Sequence, residues 1–167
     1  MKLTTKNSDI QLSILGLGWL GLPLGNHLIT KGFSVKGSQT KDAKVPTTKI
    51  KTYSLVIPSD KNLNWLTQDN ENFFKSDILI ITLPFKRQFN PSTQYLHQIN
   101  NCIDAIKKTN QINHIIFTSS TAIYPNKETP WKESDKILNC STRSQTLIEI
   151  ENTLLNINGI SSTILRL

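Results

Sequence analysis

Apolar residues in this chain follow two alternating spacings, one typical of strands and the other of helices. Short apolar runs, each ending at a glycine, a proline or a polar cluster, predict strands at 10–15, 33–37, 49–57, 77–83, 114–119 and 160–167. Apolar residues at helical spacing predict helices at 19–30, 63–74, 92–108 and 144–156. Alternation of this kind implies parallel strands joined by right-handed crossovers. We therefore expect an α/β fold, a doubly wound parallel sheet of about six strands with helices on both faces.

Length and composition predict how many domains the chain forms and where in the cell it is located. Its 167 residues, 37% hydrophobic and 19% charged, predict a single folded domain over 1–167. The apolar stretches fall well short of the ~20 residues that a membrane-spanning helix needs. The first nine residues are polar, unlike a secretory signal, so we expect a cytoplasmic protein without membrane contact. Cys102 and Cys140 have no metal-binding spacing, and no metal site is expected.

The charge balance raises the question of an anionic partner. Lysine and arginine number 19 against 12 acidic residues, a formal net charge of +7. The lysines are spread along the whole chain without an arginine-rich run or interleaved aromatic residues, so nucleic-acid binding is not expected. A local excess of lysines does stand out at 31–51, just after the first predicted helix.

A glycine-rich turn links the first predicted strand to the first predicted helix. Gly16, Gly18 and Gly21 satisfy the spacing GxGxxG, and Gly25 extends it. The first glycine permits the tight turn, the second lets the backbone approach a pyrophosphate, and the later ones allow close helix packing. The helix N-terminus adds N–H groups and partial positive charge. Because the turn joins a strand to an amphipathic helix, it predicts a Rossmann-like dinucleotide site, the alternative being glycines used for packing only.

The end of the second predicted strand bears on which dinucleotide binds. NAD-selective sites normally have Asp or Glu about 20 residues beyond the first glycine, where it binds the ribose 2′-hydroxyl. This chain has Lys-Gly-Ser-Gln-Thr-Lys at 36–41, without a carboxylate. The hydroxyls of Ser38 and Thr40 and the ammonium of Lys41 are groups that can bind a 2′-phosphate. We expect NADP to be preferred to NAD, the alternative being a solvated loop without a ligand.

Three segments together resemble the YeeZ-like group of atypical extended short-chain dehydrogenase/reductases. They are Leu-Ser-Ile-Leu-Gly-Leu-Gly-Trp-Leu-Gly-Leu-Pro-Leu at 12–24, Asp-Ile-Leu-Ile-Ile-Thr-Leu-Pro at 77–84, and Ile-Ile-Phe-Thr-Ser-Ser-Thr-Ala-Ile-Tyr at 115–124. The resemblance covers nearly the whole chain and implies an NAD(P)-dependent epimerase/dehydratase-like protein. Members of this group continue into a small substrate-binding region, so we expect the chain to be a C-terminally truncated product or fragment.

The resemblance also implies where catalytic groups would lie. Extended members carry a Ser or Thr after the fifth strand, which Ser120 matches, and a Tyr-x-x-x-Lys pair on the next helix. The residues four positions after Tyr53, Tyr95 and Tyr124 are not lysine, and Ser141 and Gln145 occupy the positions of the pair. Neither side chain serves as an acid or base at neutral pH. We expect little or no turnover from the chain as given, with Tyr124 as an alternative proton donor.

The carboxyl ends of the strands supply the remaining candidate site residues. Ligands of doubly wound sheets bind beyond these ends, so we expect the segments that follow the first, fourth and fifth strands to face the cofactor. The predicted cofactor-binding residues there are Trp19, Leu20, Leu83, Pro84 and Ser119. Trp19 is equally well explained as a residue that packs on the sheet. The loop at 119–124 is equally well explained as a hydrogen-bonded turn.

Three functions remain open on this evidence. The first is an NADP-linked epimerase, dehydratase or reductase that acts on a small polar or nucleotide-linked substrate. The second is a dinucleotide-binding sensor or inactive remnant, which the missing Tyr/Lys pair favours. The third is the N-terminal domain of a hydroxyacid dehydrogenase, which fits the glycines but not the Ser-Ser-Thr-x-x-Tyr loop. The sequence therefore predicts a dinucleotide ligand more firmly than it predicts an enzyme.

Overall fold

The computed structural model describes residues 6–40, 48–60, 65–85, 92–126, 129–133, 135, 137 and 141–167. Its strands are β1 (Gln11–Leu15), β2 (Ser34–Gln39), β3 (Lys51–Ser54), β4 (Ile78–Ile81), β5 (His114–Ser119) and β6 (Ser161–Arg166). Its α-helices are α1 (Gly21–Thr30), α2 (Gln68–Phe74), α3 (Ser92–Thr109) and α4 (Thr142–Leu155). Short 3-10 helices at Asn7–Asp9 and Thr121–Ile123 complete the order of elements.

The six strands form one parallel sheet in the order β3-β2-β1-β4-β5-β6. Leu12 of β1 pairs with Val35 of β2 on one side and with Ile78 of β4 on the other. The strand order therefore reverses between β1 and β4, which is the switch point beyond which doubly wound sheets bind their ligands. The predicted doubly wound, Rossmann-like α/β fold is confirmed.

Two apolar clusters cover the two faces of the sheet. Ile14 and Ile80 belong to the cluster on which α1 packs, whereas Leu15 and Ile81 belong to the cluster that includes residues of α2, α3 and α4. Alternate residues of a strand point to opposite faces, so each central strand supplies both clusters. Burial on both faces explains why β1 and β4 are nearly continuous apolar runs in the sequence.

The structure corrects the ends of several predicted elements. α1 begins at Gly21, two residues later than predicted, because residues 18–20 form a turn. β2 continues beyond Gly37 to Gln39, which carries Ser38 into the sheet. β3 covers only Lys51–Ser54, although Leu55 and Ile57 beyond it are buried. With these corrected bounds, α1 begins and β2 ends at the edge of the sheet where the ligand site was predicted.

The described residues also bear on membrane and metal binding. No helix among them is long and apolar enough to cross a membrane. Within the same ranges, no group of three or more His, Cys, Asp or Glu residues is arranged to hold a metal ion. Cys102 is a free, buried thiol on α3, and burial raises its pKa. Cys140 lies outside the described residues.

Candidate functional site

The glycine turn is held by bonds from two neighbouring strands. Gly16 has φ of +105°, a conformation that side chains rarely adopt, as its predicted role requires. Its N–H donates to the Ser38 hydroxyl at 3.0 Å, and the N–H of Leu17 donates to the Ser38 carbonyl at 2.7 Å. From β4's side, the Thr82 hydroxyl donates to the Gly16 carbonyl at 2.7 Å. The turn is therefore fixed from both sides of the switch point.

The glycines of the turn differ in the space around them. A Cβ on Gly21 would collide with the Gly16 carbonyl, and a Cβ on Gly25 would lie 2.6 Å from Cδ1 of Ile50. A Cβ on Gly18 would meet nothing within 4 Å. Gly21 is thus required by packing against the backbone, and Gly25 packs closely on the side chain of Ile50, whereas packing within the described residues gives no reason for glycine at position 18.

The end of β2 carries two polar side chains, Ser38 and Gln39, and the sequence analysis selected only Ser38 as a site residue. Ser38 is 2% exposed, and its hydroxyl holds the glycine turn. The next residue, Gln39, ends the strand, and its buried side-chain oxygen Oε1 has no hydrogen-bond partner among the described residues. Thr40 is exposed, and Lys41 lies outside the described residues. The position of Gln39 at the last residue of β2, where an acid would mark an NAD site, was the signal that could have found it.

A cavity of about 200 Å³ opens beside the glycine turn at the carboxyl ends of β4 and β5. The predicted site residues that line it are six in number: Trp19, Leu20, Leu83, Pro84, Ser119 and Ser120. Thr82, next to Leu83, also lines it and was not predicted. Trp19 is 87% exposed, so it does not pack on the sheet. The structure therefore brings most of the cofactor-binding candidates together around one cavity.

Arg143 is a cation in this cavity that the sequence analysis did not select. Its guanidinium lies over the ring of Phe85 at 3.9 Å, and Nη2 donates to the Phe85 carbonyl. The Phe85 ring in turn stacks on Tyr95 at 4.4 Å. Arg143 lies in the first turn of α4, where a positive charge is unfavourable to the helix dipole. The sequence signal that could have identified Arg143 was its position, two residues after Ser141 and between the two positions of the missing Tyr/Lys pair.

A chain of four hydrogen-bonded side chains runs from this cavity to a second one. The Ser119 hydroxyl donates to Glu151 Oε1 at 2.5 Å, and Arg166 Nη2 donates to Glu151 Oε2 at 2.7 Å. Arg166 Nη1 donates to the Tyr124 hydroxyl at 2.5 Å. The bond to Glu151, with a smaller contribution from Tyr124, raises the pKa of Arg166 against the opposing effect of desolvation. We refer to these four residues as the Ser119–Tyr124 chain.

The two predicted catalytic residues lie at different cavities. Ser120 lines the cavity beside the glycine turn, and its hydroxyl accepts from the N–H of Ala122 at 3.2 Å. Tyr124 lines a neighbouring cavity of about 520 Å³ together with Glu151 and Arg166. The ring of Tyr124 also stacks on Trp131, with 5.3 Å between the ring centroids. Ser120 is therefore placed beside the cofactor candidates, and Tyr124 is held within the Ser119–Tyr124 chain.

Ser141, at the tyrosine position of the missing Tyr/Lys pair, has a structural role in α4. Ser141 is the N-cap of α4, and its hydroxyl accepts from the N–H of Ser144 at 3.2 Å. Gln145 is exposed on the same helix. A capping serine contributes about 1 kcal/mol to helix stability. Ser141 thus begins the helix, at a position where the family pattern has a tyrosine.

Comparisons with known proteins agree with this geometry. No family model matches the chain. Protein YeeZ of Escherichia coli K12 is 32% identical over 158 residues, which are 94% of this chain and 57% of YeeZ. The enzyme WbmG of Bordetella bronchiseptica, solved in complex with NAD, matches with a TM-score of 0.75 and 15% identity over 98% of this chain and 55% of its own.

A UDP-N-acetylglucosamine 4-epimerase from Bacillus cereus matches with a TM-score of 0.70 and 17% identity, over 94% of this chain and 59% of its own. The chain thus spans somewhat more than half the length of each of these relatives. The two solved structures share its fold, and YeeZ is similar to it in sequence. The resemblance seen in the glycine turn and in the segments after it is confirmed: this chain is similar in sequence to YeeZ and has the Rossmann-like fold of these solved structures.

Proposed function

We propose that residues 1–167 form a single domain that binds NAD or NADP through the turn at Gly16, Gly18 and Gly21. The observation that carries this proposal is the contrast within the turn, because Gly21 has no room for a side chain whereas Gly18 has open space. A glycine that packing does not require is explained by a ligand backbone that must approach closely. The NAD in the WbmG complex is consistent with the same use of this fold.

The residues around the turn fit a dinucleotide at two further points. The side-chain oxygen of Gln39, to which no group in the described ranges donates, lies at the end of β2, where the adenosine ribose would offer hydroxyl donors. The cavity beside β4 and β5 is lined by apolar Leu20, Leu83 and Pro84 together with the hydroxyls of Ser119 and Ser120, a suitable surface for a nicotinamide ring. When bound, NAD(P) would supply hydride transfer. Trp19 and Leu20 would contact the cofactor from the glycine turn.

Calorimetric titration of the purified chain with NAD and with NADP tests the proposal. We expect saturable binding of at least one of the two. A folded chain that binds neither dinucleotide at millimolar concentration would contradict it.

A preference for NADP is the second part of the proposal. β2 ends in Gln39, a neutral residue, so a 2′-phosphate would meet no like charge there. The exposed hydroxyl of Thr40 and the net charge of +7 also favour the more anionic dinucleotide, and Ser38 and Lys41 complete the predicted set. Because the Ser38 hydroxyl already accepts from Gly16, we assign it to the turn that shapes this site rather than to direct contact with phosphate.

Replacing Gln39 by glutamate is expected to reverse this preference. The new carboxylate would accept from the ribose 2′-hydroxyl of NAD and repel the 2′-phosphate of NADP. We expect the ratio of the two dissociation constants to move by about tenfold or more toward NAD, which corresponds to about 1.4 kcal/mol. Parallel titrations of the parent and Gln39→Glu measure it, with Gln39→Met as the uncharged control. An unchanged ratio would place Gln39 outside the site.

Little or no turnover is the third part of the proposal. Ser141 and Gln145 stand at the acid–base positions, and Tyr124 is bound by Arg166 at a neighbouring cavity. The Ser120 oxygen accepts from Ala122, so its O–H can donate a hydrogen bond to a small polar or nucleotide-linked substrate. We expect no detectable oxidation of NADPH over a panel of carbonyl and nucleotide-sugar substrates. Robust turnover abolished by Ser120→Ala or Tyr124→Phe would contradict this expectation and assign the chemistry to these two residues.

A dinucleotide sensor without turnover is the second candidate function. The capping role of Ser141 favours it, because this residue contributes to the stability of α4 instead of to proton transfer. Under this function, dinucleotide binding would change the exposure of the cavity lining without consuming the ligand. Quenching of Trp19 fluorescence by NADP, with no change in the ligand after prolonged incubation, is the expected result.

A further inference from the structure

The direction of one hydrogen bond determines what Ser119 can offer a ligand. The carboxylate of Glu151 is 2% exposed and is paired with Arg166, so it accepts hydrogen bonds and donates none. The 2.5 Å bond between Ser119 and Glu151 must therefore use the hydroxyl hydrogen of Ser119. Since Ser119 also lines the cavity beside the glycine turn, its oxygen presents only lone pairs there.

The neighbouring hydroxyl has the opposite polarity. Ser120 lines the same cavity, and its oxygen accepts from the N–H of Ala122 at 3.2 Å. Its own hydrogen is not used in that bond and is available as a donor. The cavity thus has an acceptor at Ser119 and a donor at Ser120. A primary carboxamide, with an N–H₂ donor and a carbonyl acceptor on one carbon, is complementary to this pair.

We propose that Ser119, held by Glu151 and Arg166, accepts a hydrogen bond from the carboxamide N–H₂ of a bound nicotinamide and thereby selects nicotinamide over ring analogues that lack this donor. This inference rests on the proposed dinucleotide binding and adds a specificity-determining role for Ser119. Glu151 and Arg166 act as positioning residues, because they contact Ser119 directly or through one another and fix the direction of its hydrogen.

Binding of paired analogues tests this assignment. In 3-acetylpyridine dinucleotides a methyl group replaces the amide N–H₂, while the carbonyl, the charge and the rest of the molecule are unchanged. Each of NAD and NADP is titrated beside its 3-acetylpyridine analogue, all in the oxidised form. We expect the parent chain to bind the nicotinamide form about tenfold more tightly, the usual effect of one hydrogen bond that leaves a buried group unpaired when it is lost.

Two variants test separately whether discrimination needs the Ser119 oxygen and whether it needs the Ser119 hydrogen to point toward Glu151. Ser119→Ala removes the acceptor, so the discrimination should fall to about twofold or less. Glu151→Gln keeps a carbonyl oxygen for Arg166 but turns an N–H₂ toward Ser119, which frees the serine hydrogen to donate to the acetyl oxygen. Its discrimination should also disappear, or reverse. Ser162→Ala on β6 is the matched control and should keep the parent ratio, because the Ser162 hydroxyl donates to the Leu154 carbonyl and does not line the cavity beside the glycine turn.

The outcomes are distinguishable from those of the proposed function. If the folded parent binds no dinucleotide, the proposed function fails and this inference fails with it. If the parent binds both members of each pair equally, or if Ser119→Ala keeps the tenfold ratio, the dinucleotide site stands and the role of Ser119 is overturned. Circular dichroism establishes that each variant is folded. Should Glu151→Gln not fold, the ratio in Ser119→Ala decides.

Discussion

Replacing Gly18 by valine is expected to weaken dinucleotide binding about hundredfold while leaving the free energy of unfolding nearly unchanged. A side chain at this position would enter the space proposed for the pyrophosphate and separate it from the backbone N–H groups of the turn. Hydrogen bonds to charged groups contribute about 1.5 to 3 kcal/mol each, so the loss of two of them accounts for an effect of this size. Calorimetry measures the affinity, and urea denaturation measures the stability.

Gly21→Ala provides the contrasting variant within the same turn. Its new Cβ would collide with the Gly16 carbonyl and lie 3.0 Å from the Thr82 hydroxyl, so we expect a loss of about 1 to 3 kcal/mol in stability. If Gly18→Val instead destabilises the fold as strongly as Gly21→Ala and binds dinucleotide normally, Gly18 serves packing and the proposed site is wrong.

Replacing Arg166 by methionine is expected to lower the free energy of unfolding by about 3 kcal/mol. The side chain of Glu151 is 3% exposed, and its carboxylate would lose its ion-pair partner while staying buried. Removal of one partner from a buried pair typically costs about 3 to 5 kcal/mol. We take the lower end because the side chain of Arg166 is 25% exposed and the cavity beside it admits water. Urea denaturation of the two proteins measures the difference.

The double variant Arg166→Met/Glu151→Leu is the control for this prediction. It removes both charges and replaces them by apolar groups of similar volume, which is often neutral for stability. We expect it to recover most of the loss seen in the single variant. A single variant as stable as the parent would show that the carboxylate of Glu151 does not depend on Arg166.

The fold could be predicted because the strongest local patterns coincide with the buried elements. β5 was predicted at its observed bounds, and the apolar runs of β1 and β4 are buried on both faces. The errors fall where local pattern and tertiary contact differ. β2 continues through Gly37 and Ser38 because its neighbours β1 and β3 supply pairing there, and no apolar run in the sequence marks that extension.

The site was predicted less completely because its side chains meet across large sequence distances. The glycine turn is contiguous, so its spacing could be read directly. The bond from Gly16 to Ser38 and the pair between Glu151 and Arg166 depend on the sheet order and the packing of α4, which no local motif contains. Gln39 was overlooked for a simpler reason: a neutral amide at the end of β2 gives no charge signal, and its significance comes from an unpaired atom.

The position of β1 at the centre of the sheet has a consequence for the newly synthesised chain. Leu12 pairs with Ile78, 66 positions later, whereas its other neighbour, Val35, follows after 23. At a ribosomal rate of about 5 to 20 residues per second, β4 emerges roughly 3 to 13 s after β1. During that interval one edge of β1 has no strand beside it, and an unpaired apolar edge is a template for aggregation. We therefore expect nascent chains arrested between β3 and β4 to aggregate, whereas chains released after β6, in which both central strands have their neighbours, should not.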